Sequence, residues 1–210
     1  MSDPQDLGRV WKRLTAWLKV NAPLSHASLL PGAPEVVIEG ADAALRHDLG
    51  FPLPAELAAL WRLCGGVEHQ EIEGDEEGEV GSGAFLPGGV IMSPVDALRP
   101  RLPDRTSTDW WGGAPVVPWL TRDEAGPESG HWVGDIGVGR WYLDSLIDVG
   151  QKAAYPSIAA YLDAVYRTLT DGPADAMDLG VPGVVWGCLV WERPETPSLD
   201  EALPHWTPVH

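Results

Sequence analysis

The chain has 210 residues, 44% of them hydrophobic and eleven of them Trp, so one large domain with a well-filled core is expected, needing no metal or disulfide to hold it. Fourteen Lys and Arg against 31 Asp and Glu leave a formal charge of −17, which repels phosphate backbones and argues against direct nucleic-acid binding. The same field either steers a basic protein partner into contact or serves solubility alone.

Asp3-Pro4 starts a helix that carries Leu7, Val10, Trp11, Leu14, Trp17 and Leu18 on one face and ends near Val20. A second, short helix is predicted over residues 41–49, stopped by Gly50. A third begins at Pro54, places Leu57, Leu60, Trp61 and Cys64 on a stripe, and is expected to stop in a left-handed turn at Gly65-Gly66. Residues 68–83 are acidic and contain several glycines; such a run cannot bury its charges cheaply and reads as a mobile connection.

A strand over 84–86 and a helix capped by Ser93-Pro94 and running through Leu98 come next. Across residues 115–149, Val116, Val117, Trp119, Trp132, Ile136, Trp141, Leu143 and Ile147 stand between Gly, Pro and Asp turn signals, the pattern of strands and hairpins. Ser157 caps a helix striped with Ile158, Tyr161, Leu162, Val165, Tyr166 and Leu169 and closed by Gly172. One last strand is expected over 184–191. Pro194, Pro197, Pro204 and Pro208 then argue for an extended tail over 193–210, after a single domain over 1–192. Helices at both ends with strands between them indicate an α+β fold: a mixed, mainly antiparallel sheet with N-terminal helices and a C-terminal helix packed around it.

Cys64 and Cys188 belong to no paired-cysteine metal or redox spacing and read as small buried side chains, which suits a reducing, cytoplasmic setting. The first ten residues lack a secretory pattern, and the longest apolar stretch, around 184–191, is shorter than the ~20 residues of a membrane-spanning helix. The six histidines are scattered, and the acidic run lacks the ligand spacing of a calcium loop, so no metal or cofactor is expected. His131 and Asp135 fall on one side of an ideal strand, but no nucleophile accompanies them. Gly134, Gly137 and Gly139 suit a tight turn better than a phosphate loop, because no helix opens after them.

Two features stand out as candidate partner-binding residues. Glu71, Glu73, Asp75, Glu76, Glu77 and Glu79 crowd the acidic run, where they form either a solvated loop or a docking surface. Asp109, Trp110 and Trp111 place two large aromatics in a segment that otherwise reads as a loop, either as interface anchors, as a platform for sugar faces, or folded back onto the core.

The ordered set of local patterns resembles the SUKH superfamily. A helix with Trp11 and Trp17 precedes Leu49-Gly50-Phe51-Pro52-Leu53-Pro54, then Leu57, Leu60-Trp61 and Gly65-Gly66. Gly83-Ala84-Phe85-Leu86-Pro87-Gly88 leads to Met92-Ser93, and Trp119-Leu120, Gly130, Trp132, Asp135, Gly139-Arg140-Trp141 and Tyr161-Leu162 complete the series. Arg46 and His131 stand where many relatives carry acidic residues. The resemblance implies an α+β fold without catalytic machinery. Its bacterial members are immunity proteins that bind toxins directly, many of them nucleases, and its fungal members act in cell-wall synthesis regulation. The expectation is therefore a non-catalytic domain that neutralises a basic toxin, with a carbohydrate-binding or cell-wall regulatory module as the alternative.

Overall fold

The structure, a computed structural model, describes residues 4–74, 79–87, 89–99, 114–122, 129–142, 152–172, 180–192 and 200–210. Helices and antiparallel sheets make an α+β fold. Helix α1 (Pro4–Asn21) buries Leu7, Val10, Trp11, Leu14 and Leu18, the stripe its spacing demands, and packs along α6 (Ile158–Asp171). A short helix α2 (Pro23–Ala27) follows at once. The second predicted helix begins earlier than expected: α3 spans Glu35–Ala44 and passes into one π-helical turn, Leu45–Leu49, which Gly50 ends with φ 77°.

Helix α4 (Ala55–Leu63) buries Leu57, Ala58, Leu60 and Trp61. The left-handed stop expected at Gly65-Gly66 is replaced by an extended Cys64, at φ −150° and ψ 112°. Gly65 serves close approach instead, since a Cβ there would lie 2.8 Å from the Pro31 carbonyl oxygen. Helix α5 (Pro94–Leu98) starts as its sequence requires, with the Ser93 hydroxyl accepting from the Asp96 amide at 3.2 Å.

The main sheet has the order β3-β4-β5-β6, formed by Val90–Ile91, Val116–Thr121, Ser129–Gly134 and Gly137–Tyr142, every pairing antiparallel. The strand expected over 84–86 is reduced to a single bridge between Leu86 and Gly89, and the strand lies at β3 instead. Pro118 has no amide to donate, and the register shifts between Pro118 and Leu120. That irregularity turns both Trp119 and Leu120 toward the main core, where Val117, Val133 and Val138 join the helices. Val116, Trp132 and Trp141 form a second apolar cluster.

The single strand expected over 184–191 is a hairpin, β7 (Val181–Val185) and β8 (Cys188–Glu192), turning at Trp186-Gly187. Apolar residues on both sides of this turn hide it from a reading of hydrophobicity alone. The Pro-rich end departs from the expected extended tail over the part described. Asp200–His205 forms a 3₁₀ turn that buries Ala202, and β9 (Thr207–Pro208) pairs with β7. Pro208 is tolerated there because an edge strand does not need every amide.

Candidate functional site

The acidic run is not a plain connection. Glu71–Glu73 forms β1 and Glu79–Gly81 forms β2, an antiparallel pair in the register Glu71↔Gly81, Ile72↔Val80 and Glu73↔Glu79. Strand alternation puts Ile72 and Val80 on one side. They pack into a third apolar cluster with Val185, Cys188, Val190 and Ala202, joined by Trp186 and Trp206. The hairpin is thereby fastened to the C-terminal sheet, and that apolar anchoring is what the mobile-connection reading lacked.

Alternation also sends Glu71, Glu73 and Glu79 to the opposite side, where all three are exposed. Glu73 lies directly across from Glu79, an arrangement that weakens a strand pair because like charges face each other. Among the described residues, none of the three forms an ion pair, so the charge is left facing solvent. The imidazole of His69 occupies the place where a Gly81 side chain would stand, at the register position opposite Glu71. Gly81 and Gly83 are small to admit this ring.

At the other end of the hairpin, Gly74 lies against the indole of Trp186. Among the described residues, Trp186 is the non-glycine residue with positive φ, 47°, and its ring also meets His205 at 5.2 Å. A bulky residue in this conformation costs on the order of 1–3 kcal/mol, which packing between Gly74 and His205 must offset. Sequence reasoning missed both His69 and Trp186. The dipeptide Trp186-Gly187 between apolar runs was the available turn signal.

Asp75, Glu76 and Glu77 of the predicted surface, and Asp109, Trp110 and Trp111, lie outside the described residues. His131 and Asp135 are not brought together: His131 is buried in β5, whereas Asp135 is exposed in the turn to β6. Gly134 and Gly137 are paired at that turn. Among the described residues, no group of three or more His, Cys, Asp or Glu side chains could hold a metal ion, and no helix is long and apolar enough to cross a membrane. No family model, curated protein or solved structure matches the chain.

Elsewhere, an open cleft of about 290 Å³ between α1 and α6 contains Arg9 and Arg13. Its cations are already engaged: Arg9 with Asp6 at 3.2 Å, and Arg13 with Asp163 at 3.4 Å and over the Tyr166 ring at 4.1 Å. The adjacent N-terminus of α6 is also filled. The Glu56 carboxylate accepts from the amides of Ile158 at 2.8 Å and Ala159 at 3.1 Å, and Ser157 accepts from Ala160 at 2.9 Å. An incoming anion would have to displace these bonds, so the cleft is a poorer candidate than the acidic ribbon.

Proposed function

We propose that this chain is a SUKH-type protein-binding domain that works stoichiometrically in the cytoplasm, presenting its acidic hairpin to a cationic protein. The favoured partner is a basic toxin that the domain neutralises, with nucleases the leading class. The observation that carries the reading is the disposition of Glu71, Glu73 and Glu79: three exposed carboxylates on one side of a ribbon whose other side is anchored in apolar packing. Setting Glu73 against Glu79 weakens the hairpin without a structural return, and a cationic partner would relieve it. The formal charge of −17 extends the attraction beyond contact distance.

The partner is sought by co-purification from cells that carry the neighbouring genes, followed by stopped-flow association with whatever basic protein is captured. Exchanging Glu71, Glu73 and Glu79 together for Gln is expected to slow association roughly tenfold at low salt and to flatten its dependence on ionic strength. Failure to capture a basic protein, or association kinetics unchanged by the triple exchange, would refute the reading. The rival carbohydrate module predicts saturable quenching of Trp fluorescence by cell-wall glycans. Of the nine Trp among the described residues, none is exposed, which favours protein binding over a sugar platform there.

A further inference from the structure

His131 is 3% exposed, in the middle of β5, in register with Leu120 of β4 on one side and Arg140 of β6 on the other. Its ring meets Tyr161 of α6 at 5.2 Å, with the planes tilted by 51°. Tyr161 is itself held edge-on by Trp119 at 5.5 Å and by Tyr155 at 5.1 Å. Among the described residues, neither ring nitrogen of His131 has a hydrogen-bond partner. A neutral imidazole left this way is already destabilising, and a charged one is far more so because it also loses its hydration.

The charged groups that act on the ring, among the described residues, are both cations. Arg140 stands beside it on β6, and Arg122, whose amide bonds to the Ser129 carbonyl at 3.0 Å, follows β4. Tyr161 is the titratable group that meets it from α6. Burial first, then the repulsion of Arg140 and Arg122, push the imidazole down from its usual 6.5 to about 3.

We propose that His131 is an acid-sensitive latch, in which the contact between β5 and α6 closes only over an uncharged imidazole and uptake of one proton opens it. Because the closed form holds this group below its free value, the stabilisation is complete above about pH 6.5 and is lost as the pH falls from there toward 3. With an open-state value of about 6.5, the opening constant rises roughly 25-fold between about pH 7 and about pH 5 through this one site.

Hydrogen exchange of the α6 amides, residues 158–171 of the full chain, reads this directly by mass spectrometry after correction for intrinsic exchange rates. The rise in opening constant is expected to be about 25-fold greater in the wild type than in His131→Phe, with His131→Gln as a second uncharged variant giving the same contrast. The His131 Cε1–H resonance of the folded wild type is expected not to titrate between about pH 8 and about pH 5. Equal pH dependence in the wild type and the variants, or a folded-state titration near pH 6.5, would overturn the latch.

Discussion

The N-terminus of α6 is closed by a carboxylate that belongs to α4. Glu56 accepts two amide hydrogens, from Ile158 and Ala159, across more than a hundred residues of sequence. Removing it with Glu56→Ala strands two donors that Ser157, already accepting from Ala160, cannot reach. Charge-assisted hydrogen bonds contribute about 1.5–3 kcal/mol each, and a carboxylate at a helix N-terminus adds about 0.3–1 kcal/mol. Glu56 is partly solvent-exposed, so water will satisfy part of that loss, and a net cost of about 2–3 kcal/mol is expected. In a chain of this length that is a fall in Tm of roughly 5–10 °C. Glu56→Gln keeps a neutral acceptor for one amide and is expected to lose about half as much. Guanidinium unfolding followed by Trp fluorescence, with far-ultraviolet dichroism as a second probe, measures both variants. Combining Glu56→Ala with Ser157→Ala is expected to be non-additive by about 0.5 kcal/mol or more, because both acceptors serve the same helical turn. A Tm within about 1 °C of wild type for Glu56→Ala would show that the two contacts do not stabilise the fold and would refute the reasoning.

Glu79→Lys turns the facing pair with Glu73 into one of opposite charge, so the hairpin is expected to gain up to about 0.5 kcal/mol in denaturant while association with a basic partner slows, a divergence that a purely structural role would not produce. Gly74→Ala places a methyl group against the Trp186 indole, and calorimetry is expected to register a loss of about 1–3 kcal/mol together with a shift in Trp emission. Burial pushes the thiols of Cys64 and Cys188 up to about 11, so neither is expected to react with an aromatic disulfide reagent near pH 8 until the chain is unfolded, and both then react.

The parts of this molecule that were legible in advance are those in which neighbours along the chain decide the outcome. The stripes of α1 and α6 and the Ser93 and Ser157 caps repeat or terminate within a few residues, and each lies where its spacing places it. In the acidic segment, charge density over the whole run masks the two apolar positions that pack inward. Its period-two fragments, Glu71-Ile72-Glu73 and Glu79-Val80-Gly81, are too short to register as strands until Val185, Cys188 and Ala202 cover Ile72 and Val80. Of the candidate surface, three glutamates are brought together, while the Trp186 turn and the His69 ring beside them carried only weak local signals.

Composition and periodicity determined an α+β chain with a strong negative field and the amphipathic helices α1 and α6, because helix faces and caps are written in local spacing, whereas the sheet that follows α6 departs from the expected order of helices at both ends with strands between them. Only the tertiary structure decided that Glu71, Glu73 and Glu79 share a face, that Glu56 closes α6, and that His131 is sealed beneath Tyr161. Strand register, burial and long-range hydrogen bonds depend on which distant segments meet, and that is set by packing of the whole chain.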